Sequence, residues 1–132
     1  MAQVMRHMAL AAGPEAVWAA IGGFQALADW HPAVATCTRE DIGVAEHRRL
    51  ELEGGGEILE KNLGADAHSY GYAIVDSPLP VSHYRAVLSV VPSGPGSVVV
   101  WSSTFTANAK DAEAVIAQVY ESGLQALKEQ FG

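Results

Sequence analysis

The chain has 132 residues, 49% of them hydrophobic, which is enough to bury one core and too few to divide into two. We therefore expect a single domain over residues 1–132. Fifteen acidic residues against eight scattered basic ones give a formal net charge of -7, which argues against a nucleic-acid partner and against an anionic membrane surface.

The cysteine count and the hydropathy pattern bear on where the protein is located. Cys37 is the only cysteine, so no disulfide can form within the chain. We find no signal peptide and no apolar run long enough for membrane insertion, and we therefore expect a cytoplasmic protein. No neighbour of Cys37 in the sequence would activate its thiol, and we interpret Cys37 as a buried apolar residue.

The first thirty residues predict one strand followed by two short helices. Residues 3–11 are typical of a strand, and Pro14 is well placed as the first residue of a helix that ends at Gly22 and Gly23. A second short helix is expected over residues 24–29. It must end before Pro32, because a residue that precedes proline is pushed to extended geometry.

Six strands are expected next, and the alternation of their side chains separates a buried side from a solvent-facing side. In residues 48–53, Leu50 and Leu52 bring Arg48 onto the buried side. The pattern of residues 57–63 is ambiguous, and we favour the alternative that turns Glu60 inward. In the last three strands, the residues expected to face inward are Tyr70, Tyr72, Ile74, Tyr84, Ala86, Leu88, Val90, Val99, Trp101, Ser103 and Phe105.

Three glycine-rich or proline-rich segments predict the connections between these strands. Residues 54–56 are three glycines, and residues 92–96 alternate proline, serine and glycine, so both segments are expected to form hairpin turns. Residues 77–80 contain two prolines, which cannot donate to a strand ladder. We expect a stiff loop there, at the rim of the sheet.

A long amphipathic helix is predicted over residues 111–131. Its apolar residues recur at three- and four-residue steps: Ala112, Val115, Ile116, Val119, Leu124, Leu127 and Phe131. Asn108 is a candidate N-cap. Gly123 lies near the middle of the helix, where glycine costs about 1 kcal/mol relative to alanine. We favour close packing there over a space left beside the helix.

The order of the elements is accompanied by a characteristic set of residues: Val17, Trp18, Phe24, Leu27, Trp30, His31, Pro32, Trp101, Phe105 and the segments 48–52, 60–63 and 77–80. In this order and spacing the sequence resembles the START/Bet-v-like helix-grip superfamily, also called SRPBCC, and within it the small bacterial polyketide cyclase/dehydrase-like group. The resemblance implies an α+β fold, in which a seven-stranded antiparallel sheet curves around a long C-terminal helix, with two short helices between strands 1 and 2.

The resemblance also implies a cavity between sheet and helix that holds hydrophobic small molecules, such as polyketides, lipids, hormones or alkaloid precursors. The expected ligand-binding residues are Trp30, Tyr72, Tyr84, Trp101, Ser103, Phe105, Val119, Gly123 and Leu127. For Trp101 and Phe105 the alternative is a purely structural place in the core, because an aromatic side chain contributes most when it is buried.

Three residues are candidates for catalysis: Arg48, Glu60 and His31. Arg48 and Glu60 on adjacent strands form either a structural ion pair or a catalytic pair. In the catalytic alternative Arg48 fixes a ligand oxygen while Glu60, with a raised pKa, moves a proton. The ordinary pKa of a histidine lies near neutrality, which suits His31 as a general base, and the alternative is that His31 is a surface or packing residue.

No metal or other cofactor is expected. His7, His47, His68 and His83 are interpreted as solvent-facing, and no pair of histidines has the spacing of metal ligands. The sequence also lacks a nucleophile elbow, a phosphate-binding glycine loop and a dinucleotide fingerprint.

Three functional classes remain open. The favoured one is a carrier or sensor that binds a hydrophobic small molecule without changing it. The second is a cofactor-free cyclase or dehydratase that uses Arg48, Glu60, Tyr72, Tyr84 and His31 to orient a polyketone and move protons. The third is an interaction module with a filled core. The sequence does not decide between a monomer and a homodimer.

Overall fold

A computed structural model describes residues 1–132 as one antiparallel sheet with three helices. In chain order the elements are β1 (Ala2–Leu10), α1 (Pro14–Ile21), a 3-10 turn (Phe24–Ala26), α2 (Leu27–Trp30), β2 (Val34–Ile42), β3 (Ala45–Leu52), β4 (Glu57–Asp66), β5 (Ser69–Asp76), β6 (Val81–Ser93), β7 (Gly96–Ala107) and α3 (Ala112–Phe131). The strand order is β1-β7-β6-β5-β4-β3-β2. The predicted α+β helix-grip fold is confirmed.

The two short helices lie where the sequence placed them. Helix α1 begins at Pro14 and ends at Ile21, directly before the two glycines. The second predicted helix is divided into the 3-10 turn and α2, which continues through Trp30. His31 then has extended backbone angles, with φ -93° and ψ 118°, as a residue before proline requires.

The alternation of side chains holds along most of the sheet and is interrupted at several register shifts, one of which lies beside Glu60. Arg48 and Leu50 are buried on β3, and Arg48 pairs directly with Glu60 on β4. A register shift between Leu59 and Glu60 in the pairing of β4 with β5 breaks the alternation, so that Ile58, Leu59 and Glu60 are all buried. This irregularity explains why the sequence of β4 was ambiguous.

The predicted connections are also present. Gly54, Gly55 and Gly56 form the hairpin between β3 and β4, and their φ angles of 85°, 103° and 102° lie in a region that favours glycine. Residues 94–95 form the tight turn between β6 and β7, because Ser93 pairs with Gly96. Residues 77–80 form the loop between β5 and β6.

Helix α3 contributes Ala112, Ile116, Ala117, Tyr120, Gly123, Leu124 and Leu127 to the core. The expected cap at Asn108 is wrong: Asp111 occupies the N-cap position, and no side chain caps the helix. Asn108 is used elsewhere, since its backbone N–H donates to the carbonyl of Pro80. No helix of the protein, α3 included, combines the length and the apolar character needed to cross a membrane.

Strand β2 forms one edge of the sheet and is mostly exposed. Its pairing with β3 has a register shift between Val34 and Thr36. Further along, Arg39 and Glu40 form ion pairs with Asp41 and Arg49 at 3.2 and 2.7 Å. The edge is therefore bulged at one end and charged at the other.

Gly123 of α3 lies very close to side chains from other elements. A Cβ atom built on Gly123 would lie 2.6 Å from Cδ2 of His31 and 3.1 Å from Cζ3 of Trp101. Both distances are shorter than normal packing allows. The glycine therefore serves close packing, and no space is left beside the helix at this position.

We expect Gly123→Ala to destabilise the protein although alanine favours helices by about 1 kcal/mol over glycine. Overpacking of a core costs about 1–3 kcal/mol, and here it should outweigh the gain in helix propensity. Urea unfolding measures the difference. Gln125→Ala, at an exposed position of the same helix, is the control and should be neutral or slightly stabilising. A Gly123→Ala protein as stable as the wild type would contradict the packing argument.

Candidate functional site

A cavity of about 150 Å³ lies between the inner face of the sheet and α3. Its wall is mostly apolar and includes the segment that follows α2. The lining residues are Leu27, His31, Ala33, Val34, Leu50, Leu52, Glu53, Ile58, Glu60, Tyr72, Ile74, Leu79, Tyr84, Trp101, Ile116, Val119 and Tyr120. An apolar wall with a few polar groups is typical of a small-molecule site.

The structure brings half of the sequence-predicted site residues to this wall. The residues on it are His31, Glu60, Tyr72, Tyr84, Trp101 and Val119. Six others are buried without lining the cavity: Arg48, Trp30, Ser103, Phe105, Gly123 and Leu127. Strand alternation and helix periodicity predict only that a side chain faces inward. Many inward side chains pack against one another in the core and do not reach the cavity.

Four aromatic residues on the wall form a connected polar group that we call the tyrosine network: Trp101, Tyr72, Tyr84 and Tyr120. The indole N–H of Trp101 donates to the Tyr72 hydroxyl at 3.0 Å, and the hydroxyls of Tyr72 and Tyr84 are 3.1 Å apart. The Tyr84 hydroxyl also contacts that of Tyr120. The rings of Trp101 and Tyr120 stack, with their centroids 4.4 Å apart.

The tyrosines of the network stay protonated at neutral pH. Burial raises the pKa values of Tyr72 and Tyr84 well above their ordinary value, and it raises the pKa of Tyr120 to about 12. All three hydroxyls are therefore hydrogen-bond donors as well as acceptors.

Tyr120 is the member of the tyrosine network that the sequence analysis missed. It lies four residues after Ile116 and four before Leu124, on the same helical stripe as the predicted apolar face. Counting tyrosine among the stripe residues would have found it.

The side chain of Arg48 is fully buried, and most of its donors have partners. Its Nε donates to Oε1 of Glu60 at 2.8 Å, and its Nη1 donates to the Phe24 carbonyl at 2.8 Å and to the Tyr70 hydroxyl at 3.1 Å. The guanidinium carbon also lies 4.1 Å from the centre of the Phe24 ring, a cation–π geometry. Nη2 has no hydrogen-bond partner.

Glu60 is the member of this pair that faces the cavity. Burial raises the pKa of its carboxyl group, and the charge of Arg48 and its hydrogen bond act in the opposite direction. Only Oε1 takes part in the ion pair, and Oε2 accepts no hydrogen bond from the protein. Glu60 therefore presents a carboxylate oxygen to the cavity.

His31 is held through both ring nitrogens. Its Nδ1 accepts a hydrogen bond from the backbone N–H of Ala33 at 3.1 Å, so the proton is on Nε2, which donates to the Val119 carbonyl at 2.8 Å. Burial lowers the pKa of His31, the hydrogen bond to Val119 opposes this effect, and the charge of Arg48 lowers the pKa further. The neutral ring links α3 to the segment after α2.

Two side chains differ from the sequence interpretation. His47 was expected to face solvent, yet it is 5% exposed, because β3 is an interior strand and His47 lies between Glu40 and Lys61 on its neighbours. Cys37 was expected to be buried and is only half-buried, because it lies on the edge strand β2. No three His, Cys, Asp or Glu side chains are grouped closely enough to hold a metal ion.

The ion pair gives a prediction about stability. Arg48→Met leaves the Glu60 carboxylate buried without its partner, which should cost about 3–5 kcal/mol, and Glu60→Leu should be similarly costly. In the double variant no charge is left unpaired. Its loss in the free energy of unfolding should therefore be at least about 2 kcal/mol smaller than the sum of the losses in the two single variants. Urea unfolding of the four proteins measures this coupling.

The matched control is the exposed pair of Arg6 and Glu121, whose Nε–Oε2 distance is a similar 2.9 Å. The cycle of Arg6→Met and Glu121→Leu should give a coupling below about 1 kcal/mol. Equal coupling energies for the two pairs would be inconsistent with a structural role for the buried pair.

His31 gives a prediction about pH. Because its pKa in the folded protein is lowered, the unfolded chain takes up the proton first, near pH 6.5, and the free energy of unfolding should fall as the pH drops below that value. The slope contributed by His31 is at most about 1.4 kcal/mol per pH unit. Urea unfolding at pH 7.5 and 5.5 measures this effect. Between these two pH values the free energy of unfolding should fall less for His31→Gln than for the wild type. The exposed His7→Gln variant should retain the wild-type loss, and parallel profiles for all three proteins would refute the argument.

Comparisons with known proteins agree with this architecture. Protein XoxI from Bacillus cereus is 31% identical, with 99% of this chain and 96% of that chain covered and a TM-score of 0.91. The Zhui aromatase/cyclase from Streptomyces sp. R1128 is 16% identical, with 98% and 92% covered and a TM-score of 0.80. A START superfamily protein from Mycobacterium smegmatis is 16% identical, with 96% and 92% covered and a TM-score of 0.70. The last two show likeness of fold alone.

Sequence comparison assigns the family. No curated protein sequence matches the chain. The family described as polyketide cyclase / dehydrase and lipid transport matches residues 1–132, the whole length of the chain. The protein therefore belongs to the polyketide cyclase/dehydrase and lipid transport family and has its START-like helix-grip fold.

Proposed function

We propose that the protein binds a hydrophobic small molecule in the cavity between the sheet and α3. The observation that carries this proposal is the cavity itself, whose wall is mostly apolar and has polar groups at a few points, chiefly Glu60 and the tyrosine network. Such a wall provides affinity through its apolar area and selectivity through its polar groups. The family description, which includes lipid transport, is consistent with this function.

The hydrogen bonds favour binding over catalysis. Arg48 is off the wall and engaged with Glu60, Phe24 and Tyr70. Both nitrogens of His31 are engaged with the backbone. A general base needs a free lone pair within reach of the ligand, and the neutral His31 has none. We therefore propose a structural role for Arg48 and His31.

A cofactor-free cyclase or dehydratase is the second candidate. The observation in its favour is that Oε2 of Glu60 is free at the wall, on a carboxyl group whose pKa burial raises. In this function Glu60 would move a proton while the hydroxyls of Tyr72 and Tyr84 hold a ketone oxygen. Consumption of an offered polyketone, lost in Glu60→Gln, would distinguish it from simple binding.

The other expectations about partners stay proposals. The cavity volume weighs against an interaction module with a filled core. We propose a cytoplasmic protein that works without a metal or another cofactor, as a monomer or a homodimer.

Native mass spectrometry of the freshly purified protein tests the binding function. We expect an added mass that is present in the native spectrum and absent after denaturation. Val119→Phe places a ring into the cavity wall and should abolish the added mass, whereas Gln118→Phe, at the neighbouring exposed position of α3, should retain it. Retention of the adduct in Val119→Phe, or failure of the wild type to bind any hydrophobic member of an added compound panel, would count against the proposal.

A further inference from the structure

The volume of the cavity narrows the class of ligand that the proposed binding function would involve. Sites for drug-sized ligands have volumes of roughly 300–1,000 Å³. The cavity here has about 150 Å³. An engineered cavity of roughly that size in another protein accommodates benzene. A single ring fits this volume, whereas a fused polycyclic product or a long acyl chain does not.

We propose that the ligand is an uncharged molecule about the size of one aromatic ring, and that it carries a hydrogen-bond acceptor, such as a ketone or aldehyde oxygen, that binds a hydroxyl of the tyrosine network. This inference rests on the proposed binding function. Three observations support it: the cavity volume, the count of protons in the network, and the charges on the wall.

The proton count follows from the contacts among the hydroxyls. Tyr72, Tyr84 and Tyr120 have three hydroxyl protons, and only two hydroxyl–hydroxyl contacts join them. Each contact uses one proton. The indole of Trp101 enters as a donor and therefore takes up no proton. Whichever way the hydroxyls are oriented, the network retains one donor that none of its own members accepts.

The residue that carries the unused donor borders the cavity. All three tyrosines line the wall, so this holds whichever of them has the spare proton. The Ser103 hydroxyl is buried beyond the wall and makes no hydrogen bond of normal geometry, although it is near enough to Tyr120 to lower the pKa of that residue. Ser103 therefore competes with a ligand for the spare proton only when Tyr120 carries it. A buried donor without a partner costs about 1–3 kcal/mol, and a ligand acceptor removes that cost.

The charges on the wall exclude an anion. Besides the protonated tyrosines, the ionisable residues that line the cavity are Glu53, Glu60 and the neutral His31, and neither lysine nor arginine is among them. A carboxylate ligand would lie near the Glu60 carboxylate with no cation to receive it. A cation would gain little, because the charge of Glu60 is already compensated by Arg48 at 2.8 Å. An uncharged ligand therefore fits best.

A set of small ketones and their analogues tests the inference by isothermal titration calorimetry. Acetophenone represents the expected class of ligand. α-Methylstyrene has nearly the same shape but no hydrogen-bond acceptor, and benzoate carries a negative charge. We expect acetophenone to bind about threefold to tenfold more tightly than α-methylstyrene, the range that one net hydrogen bond provides. We expect no binding of benzoate.

Larger ketones test the size limit. 2-Acetylnaphthalene and 2-tetradecanone should bind at least about tenfold more weakly than acetophenone, because the second ring or the long chain does not fit. Val119→Phe should abolish acetophenone binding, and Gln118→Phe should retain it. The infrared carbonyl stretch of bound acetophenone should lie at lower frequency than in an alkane solvent, which reports the hydrogen bond independently of affinity.

The outcomes separate this inference from the function on which it rests. Tighter binding of the larger ketones, equal binding of α-methylstyrene with an unshifted carbonyl stretch, or binding of benzoate would overturn the inference while the binding function stands. If none of these compounds binds, large or small, the inference is overturned, and the native mass spectrum decides whether the binding function stands.

Discussion

The rest of the site depends on the hydrogen bonds and the ion pair made by the buried guanidinium group of Arg48. It joins four separate parts of the chain, since Arg48 lies on β3 and contacts Glu60 on β4, Tyr70 on β5 and the carbonyl of Phe24 in the 3-10 turn. Desolvation of two buried ions costs several kcal/mol each, and only close, well-directed contacts offset that cost. The geometry of these four segments is therefore tightly constrained. One consequence is that Glu60 is held with a single oxygen towards the cavity.

The second constraint is the need to satisfy hydroxyl groups inside an apolar gap. Three tyrosines extend into the space between the sheet and α3, and each hydroxyl finds a partner in another aromatic side chain. Their rings also occupy much of that space, which keeps the cavity small. Volume and polarity of the site thus have one origin, because the same side chains set both.

The sequence predicted the inner face of the sheet well because strand alternation is a local property. Arg48, Glu60, Tyr72, Tyr84 and Trp101 are all buried as expected. What it did not predict is which inward residues border the cavity, since that depends on how side chains from distant segments fill the space. Phe105, for example, is inward and fully buried, yet its ring packs against Tyr84 away from the wall.

In α3, too, the features that depend on the helix alone were predicted, and those that depend on contacts with distant residues were not. Periodicity gave the extent of α3 to within one residue, because that pattern lies within the helix itself. Asn108 is not the cap because α3 begins only at Ala112, and the side-chain oxygen of Asn108 instead accepts a hydrogen bond from Ser82 on β6, which is distant in the sequence. Tyr120 was missed because tyrosine is both apolar and polar, and its contacts with Tyr84 and Trp101 are not visible in the helix alone.

Strand β2 has a consequence for how the molecule behaves at high concentration. An edge strand has unpaired backbone groups that a strand from another molecule can pair with, which is a common route to aggregation. Here the bulge near Val34 and the charges of Arg39, Glu40 and Asp41 lie along that edge. A strand added from a second copy would have to displace the water around these charges and accommodate the bulge, while both molecules carry a net charge of -7. The β2 edge of the sheet is thereby protected against self-association by strand pairing.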